Sequence, residues 1–464
     1  MDNILRGLRQ FTPETLTWDT LGEFVKQIDP DAVSYRDELP PLLDGEHYTR
    51  NILTLEPLEC VVLHWPPGAE SAIHFHEGFW GFVLVLDGTC DNVEYEHKSG
   101  ILRETRLIRA QRGGVLDEPD GTIHKIVNPS PTEHLVTVHF YTPALDTLDG
   151  LKLYDTQTGT IAVLNEHAPS ASLQLPESCF HSFQPGAFTY LPLAEEDEAH
   201  THRTVPLLPK PAPDEIREMI MGYYQEQALQ YDDFDRNHPS RNKYTERINA
   251  LISEDLHHKP DVNRLLAIAC GTGRRALDIR ESSGHDYQIT CVDLSEEMCC
   301  QASERGVDTR VGPWLQVDVP LRTHDAVTFL YAFGHLPTHE ERKLAMDKIA
   351  ASLKPGGVVY LDVFNLEDEN EWGPKAIDSF DSMNLSRYGY ERGDVFYQKV
   401  GGTEIAFLHY FTEDALRSLA TQSGLEVTWI KHIGYVHRSG EELTDDTHGS
   451  LLLKATLPKL VGPL

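Results

Sequence analysis

The chain has 464 residues, too many for one ordinary hydrophobic core, so two large domains or three small ones are expected. A hydrophobic fraction of 40% and an aromatic fraction of 9% exclude wholesale disorder. The 73 acidic and 40 basic side chains leave a formal charge of −33, a field that repels phosphate backbones and anionic lipid, so no nucleic acid and no membrane are expected as partners.

The opening Met1-Asp2-Asn3-Ile4-Leu5-Arg6 lacks a basic-then-apolar leader, and no apolar run approaches the length of a membrane span. The 7 cysteines follow no regular framework and Cys299 and Cys300 are adjacent, so reduced thiols in a cytoplasm are expected. Residues 1–45 read as helical and turn-rich, with a helix near Leu21–Ile28. From about 48 to 190, runs such as Cys60-Val61-Val62-Leu63 and Phe82-Val83-Leu84-Val85-Leu86 alternate with Pro, Gly and Asp turns, the pattern of a β-sandwich or barrel. An acidic run (Glu195–Glu198) and then Pro206, Pro209, Pro211 and Pro213 predict an extended linker over 194–213, dividing a domain of 1–193 from one of 214–464. Beyond it, 214–256 reads as helical. Strand-like runs at 264–269, 288–292, 325–331 and 357–363 alternate with helical segments, which predicts an α/β doubly wound parallel sheet. The last portion, 404–455, reads as strands around a helix at 412–423.

The sharpest signal in the first domain is Gly68-x5-His74-x-His76. On a strand, residues two apart share a face, so both imidazoles reach one ion. Gly113-x5-Pro119-x-Gly121-x2-His124-x3-Asn128 supplies a third imidazole from another hairpin. Three neutral nitrogen donors leave coordination positions open for substrate and O2, which suits a redox-active non-haem iron. His139 and Tyr141 lie two apart on one strand face, and Arg50 offers a planar fork for a carboxylate. The plainer readings are a surface ion pair for Arg50 and core packing for Tyr141.

These motifs resemble the cupin superfamily, which implies a jelly-roll barrel. Gly81 stands where cupins carry a glutamate ligand, which implies the three-histidine site of the thiol dioxygenases among them. Tyr48-Thr49-Arg50-Asn51, Trp65, Ser71-Ala72-Ile73-His74 and Thr137-Val138-His139-Phe140-Tyr141-Thr142-Pro143 are similar to segments of the cysteine dioxygenase family. The resemblance implies Fe(II) on His74, His76 and His124, a substrate carboxylate on Arg50, and a hydrogen-bond relay through His139 and Tyr141. It implies a small thiol amino acid and O2 as substrates and a sulfinate as product. Gly81 also replaces the cysteine that crosslinks to the active-site tyrosine in the animal enzymes, so no thioether to Tyr141 is expected. Thr137 stands in place of serine.

In the second domain, the apolar run Leu265–Ile268 leads through Ala269-Cys270 into Gly271-Thr272-Gly273-Arg274, and a second strand ends in Asp293 about twenty residues on. An acid at that place accepts from ribose hydroxyls. The segments Cys270-Gly271-Thr272-Gly273, Asp293-Leu294-Ser295-Glu296-Glu297-Met298 and Leu353-Lys354-Pro355-Gly356-Gly357 resemble class I S-adenosylmethionine-dependent methyltransferases. The resemblance implies a Rossmann-like sheet and S-adenosyl-L-methionine bound around Ala269, Gly271, Gly273, Asp293, Leu294 and Met298, with Asp318 at adenine. Ala267 stands where the family's first-strand acid lies, and Ala269 where its first glycine lies. A dehydrogenase Rossmann domain and a non-catalytic methyltransferase relic are the competing readings. Tyr223, Tyr224, Tyr231, Phe234, His335, Asn365 and Tyr390 are candidate contacts for a small-molecule methyl acceptor.

The combination predicts a bifunctional enzyme: oxidation of a cysteine-like thiol to a sulfinate, and S- or N-methylation of a related molecule. The alternative is a methyltransferase regulated by a metal- or ligand-sensing cupin module.

Overall fold

Strand β9 (Leu135–Thr142) shows how the first half is built. Its Val136, Val138 and Phe140 join Phe82, Leu84 and Leu86 in a core shared with Leu8, Leu21 and Val25. The alternate residues Thr137, His139 and Tyr141 therefore point the other way, into the barrel.

The computed structural model describes residues 1–39, 48–191, 202–225, 232, 239–399, 404–435, 442–443 and 448–459. They fall into two units, Met1–Pro211 and Ala212–Leu464.

The first unit begins with α1 (Asp2–Leu8) and α2 (Trp18–Lys26). Thr17 caps α2 through a reciprocal pair of bonds with Thr20, so the helix starts ahead of the expected Leu21: the capping box, not the apolar spacing, sets the first turn. Then come β1 (Thr49–Thr54), β2 (Glu59–Trp65), β3 (Ile73–Phe75), β4 (Trp80–Asp87), β5 (Thr89–Lys98), β6 (Ile101–Gln111), β7 (Val115–Glu118) and β8 (Ile123–Val127) before β9. After it come β10 (Lys152–Asp155), β11 (Thr160–Leu164), β12 (Phe180–Gln184) and β13 (Thr189–Leu191). One sheet orders β1-β2-β9-β4-β7; the other orders β12-β11-β10-β3-β8-β5-β6-β13. This is a cupin-like architecture.

Of the expected linker, residues 192–201 lie outside the described residues. The remainder holds β14 (His202–Thr204) and β15 (Leu207–Leu208). Leu207 and Leu208 are buried, and β15 pairs in parallel with β6. β15 is thus a strand of the first unit and not a free spacer, because Leu207 and Leu208, between Pro206 and Pro209, are taken out of water.

The second unit contains α3 (Pro213–Gln225), α4 (Pro239–His257), β16 (Arg264–Ile268), α5 (Arg274–Ser283), β17 (Gln288–Asp293), α6 (Glu296–Glu304), β18 (Asp308–Val311), β19 (His324–Phe329), α7 (His339–Ser352) and β20 (Leu353–Val363). It continues with α8 (Gly373–Ser382), β21 (Asp394–Lys399), β22 (Ile405–His409), α9 (Glu413–Gln422), β23 (Glu426–Ile433) and β24 (Ser450–Thr456). The main sheet orders β18-β17-β16-β19-β20-β24-β23. Its first five members are parallel, and β24 is antiparallel to both neighbours. Leu353-Lys354-Pro355-Gly356-Gly357 runs as the start of β20, with a register shift opposite His324–Ala326. The strand order reverses at β16, so a crevice opens beyond the carboxyl ends of β16 and β19. This is the Rossmann-like methyltransferase fold. Among the described residues, no helix is long and apolar enough to cross a membrane.

Candidate functional site

In the first unit, register pairs His74 of β3 with His124 of β8, and His76 lies just past the end of β3. Their ring nitrogens gather within 4.8 Å of one another. His76 Nε2 lies 3.3 Å from His74 Nε2 and 3.0 Å from His124 Nε2. His74 Nδ1 lies 3.0 Å from the carbonyl of Ala72 and His124 Nδ1 lies 2.7 Å from Asn92 Oδ1. Each of these two Nδ1 atoms donates to an oxygen, so each Nε2 turns a lone pair toward the centre. Burial pushes the His74 pKa down to about 4 and those of His76 and His124 well below the usual histidine value, so all three rings are neutral at pH 7. Lone pairs converging without protons between them form a cation's donor set, and the residues fit a bound transition-metal ion.

Arg50, His139 and Tyr141 line the same cavity, of about 60 Å³, which restricts it to small ligands. Arg50 Nη2 donates to Glu59 Oε1 at 2.8 Å, and Glu59 Oε2 accepts from the Leu145 backbone N–H at 3.1 Å. The Arg50 pair is therefore half-buried and held from behind, not a surface ion pair: Glu59 is fully buried. Tyr48 stacks on Trp65 at 4.2 Å between centroids and accepts from Ala171 N–H at 2.8 Å.

Tyr141 hydrogen-bonds His139 Nδ1 at 2.8 Å, and His139 Nε2 lies 2.9 Å from Thr137 Oγ1. Burial is the main cause of the raised Tyr141 pKa and of the His139 pKa pushed down to about 3. A Cβ built on Gly81 would lie 2.0 Å from the Phe140 carbonyl oxygen and 2.5 Å from Tyr141 Cδ1. Gly81→Ala is accordingly expected to cost about 1–3 kcal/mol through overpacking and to displace Tyr141. A urea midpoint matching that of the parent would contradict this packing.

Sequence reasoning missed Asn92, Glu59 and Glu118, which contact the site from β5, β2 and β7. Their signal was pairing register: Glu59 pairs with Tyr141, and Gly81 with Glu118. A single sequence does not display register.

In the second unit, a cavity of about 550 Å³ lies at the crevice of the sheet and is lined by Ala269, Gly271, Asp293, Leu294 and Met298. Asp293 Oδ2 accepts from Gly271 N–H at 2.8 Å and Oδ1 from Ser295 N–H at 3.0 Å. One carboxylate thus holds both the glycine turn and the start of α6. Burial raises its pKa, opposed by these backbone donors. Ala269 holds φ 50 where the family has glycine, a left-handed conformation that costs an alanine about 1 kcal/mol. Tyr331, after β19, holds φ 67 and also lines the cavity, so backbone strain gathers at the two strand ends that flank the crevice.

Two predicted contacts stand elsewhere. Gly273 caps α5 at φ 74, where a Cβ would press on Ala302 Cβ at 3.0 Å, so this glycine serves helix packing and does not line the cavity. Asp318 is exposed and also lies outside the lining. The wall expected from it is built by Pro313, Trp314, Leu315 and Gln316, because the chain turns into the cavity directly after β18.

Among the candidate acceptor contacts, Tyr224 and His335 line the cavity, and their Oη and Nε2 lie 2.9 Å apart. His335 Nδ1 lies 2.6 Å from the Phe407 carbonyl, so Nδ1 donates there and Nε2 accepts from Tyr224. Tyr223, Asn365 and Tyr390 are buried outside the lining. Tyr231 and Phe234 lie outside the described residues.

Burial holds the His335 pKa down at about 4, against about 6.5 in an unfolded chain. The folded state thus disfavours its protonation. This contribution to stability is complete above pH 6.5 and is lost as pH falls from there toward 4. His335→Gln is expected to flatten that part of the loss, read as urea midpoints across the interval.

Residues 26–155 match the family model of cysteine dioxygenase type I, and residues 265–357 match that of a methyltransferase domain. Cysteine dioxygenase type 1 of Bos taurus is 28% identical over 123 residues, which are 25% of this chain and 60% of that protein. The Homo sapiens protein matches to the same extent, 28% over 123 residues and 60% of its length. Glycine N-methyltransferase of Rattus norvegicus is 32% identical over 124 residues, covering 23% of this chain and 41% of the relative. Among solved structures, the 1,6-didemethyltoxoflavin-N1-methyltransferase of Burkholderia thailandensis matches with a TM-score of 0.39 at 16% identity, covering 57% of this chain and 97% of that one. The chain thus joins a first unit that resembles cysteine dioxygenase to a second that resembles the S-adenosylmethionine-dependent methyltransferases.

Proposed function

We propose that this chain is a bifunctional enzyme of sulfur amino-acid chemistry. The first unit oxidises a cysteine-type thiol to a sulfinate with O2, and the second methylates a related small molecule from S-adenosyl-L-methionine. The observation that carries the first reading is the convergence of three neutral imidazole nitrogens beside Arg50 and Tyr141 in one small cavity.

His74, His76 and His124 would hold ferrous iron. When bound, the iron supplies open coordination for thiolate, amine and O2. Arg50 binds the substrate carboxylate, and Glu59 anchors the guanidinium so that its fork keeps one orientation. His139 and Tyr141 hold a proton within the cavity wall. Tyr48 and Trp65 exclude water from the carboxylate end.

In the second unit, Asp293 keeps lone pairs for ribose hydroxyls after accepting its two backbone bonds. Leu294, Met298 and Leu315 give the cofactor an apolar wall. His335 and Tyr224 are the polar pair that would meet the methyl acceptor. When bound there, S-adenosyl-L-methionine would supply a sulfonium methyl group to a nucleophilic sulfur or nitrogen, with S-adenosylhomocysteine as the leaving group. A sulfinate is a soft sulfur nucleophile and suits this transfer.

The test is mass spectrometry of the full chain with ferrous iron, cysteine, O2 and S-adenosylmethionine. A product heavier by two oxygen atoms, and a further one heavier by a methylene, are expected. No O2 uptake with any small thiol would overturn the oxygenase reading in favour of a sensing module. Unchanged S-adenosylmethionine would overturn the transferase reading.

A further inference from the structure

Pairing register sets Glu59, Tyr141, Gly81 and Glu118 in one row across β2, β9, β4 and β7. The row lies on the inner face of the barrel. Gly81 adds no side chain to it, and the Tyr141 ring lies where a Cβ at 81 would stand. The phenol thereby spans the glycine and donates to Glu118 Oε2 at 2.6 Å. Glu118 is fully buried.

The contacts form a chain with one direction. Trp65 Nε1 can only donate, and it does so to Thr137 Oγ1 at 3.0 Å. With the single Tyr141 proton given to Glu118 at 2.6 Å, the phenol oxygen accepts from His139 Nδ1–H at 2.8 Å, and the neutral ring then accepts at Nε2 from the Thr137 hydroxyl at 2.9 Å. The far end reaches the metal ligands: Glu118 Oε1 lies 3.5 Å from His124 Nδ1 and Oε2 lies 3.8 Å from His76 Nε2.

We propose that Glu118 is the positioning residue of the thiol-oxidation site, an acceptor that ends this relay and commits the Tyr141 proton away from the cavity. It holds His139 in the Nδ1-protonated tautomer, so the phenol presents a lone pair and not a proton to a bound substrate. Gly81 makes the arrangement possible, since a side chain there would block the span. The proposal rests on the oxygenase reading for its kinetic consequence, but its structural content belongs to the metal-free protein.

The test compares the full chain with Glu118→Gln and Glu118→Ala. Nitrogen-15 NMR of the metal-free protein reads the His139 tautomer, its signals assigned by their loss in His139→Gln. Glu118→Gln keeps an acceptor oxygen and is expected to retain the Nδ1-protonated form. Glu118→Ala is expected to lose it and to lower kcat for cysteine oxidation about 10- to 100-fold, the usual range for an outer-sphere partner. KM for cysteine, set at Arg50, and ferrous-iron affinity by calorimetry are expected to stay within a few-fold of the parent. A parental tautomer in Glu118→Ala would overturn the proposal. So would a matching collapse of iron affinity in both variants, which would make Glu118 a ligand. If the parent oxidises no thiol, the oxygenase reading fails while the tautomer measurement still decides the role of Glu118.

Discussion

His76→Ala is expected to abolish thiol-dependent O2 uptake and to weaken ferrous-iron binding by at least about 100-fold, more than loss of an outer-sphere partner does. Its Nε2 is the nitrogen nearest to both others, at 3.3 and 3.0 Å, so removing it leaves a bidentate site. The variant also opens space against Phe79, whose ring centroid lies 4.2 Å from that of His76. His134→Ala is the control, since His134 is an exposed imidazole that contacts His64 and lies outside the triad. Calorimetry with Fe(II) and an oxygen electrode measure the two effects. Parental O2 uptake in His76→Ala would remove the three-histidine site from the mechanism.

Asp293→Ala is expected to weaken S-adenosylmethionine binding about 30- to 1000-fold, equivalent to about 2–4 kcal/mol, by two routes. It removes the proposed acceptor for the ribose, and it leaves the Gly271 and Ser295 N–H groups without their partner. Asp293→Asn separates the routes. It keeps one acceptor oxygen for the turn and loses the charge, so an intermediate affinity is expected. Calorimetry with S-adenosylmethionine decides, and binding unchanged in both variants would move the cofactor away from this carboxylate.

Much of this protein was legible along the chain because its chemistry is carried by local spacing. His74 and His76 are two apart on an extended segment, and His139 and Tyr141 two apart on β9. The alternation of strands and helices after residue 264 announced a parallel sheet. Spacing did not display which residues wall the cavity, because the wall is made by whichever residues leave a strand first. Asp318 has the right type, but Pro313 and Trp314 reach the cavity before it. Gly273, expected at the cofactor, stands outside the lining, and its missing Cβ leaves room for Ala302.

By itself the sequence determined which residues can ligate, donate or bend: three histidines, an arginine fork, a glycine turn and an acid at the next strand end. Only the tertiary structure decided which carboxylates join them. Glu59 and Glu118 come from strands far apart in sequence, and cross-strand register alone sets them on either side of Tyr141. Register is settled by burying one face of every strand at once, against cores such as the one shared by Leu8, Phe82 and Phe140. That is a property of the packed sheet as a whole, and no local segment carries it.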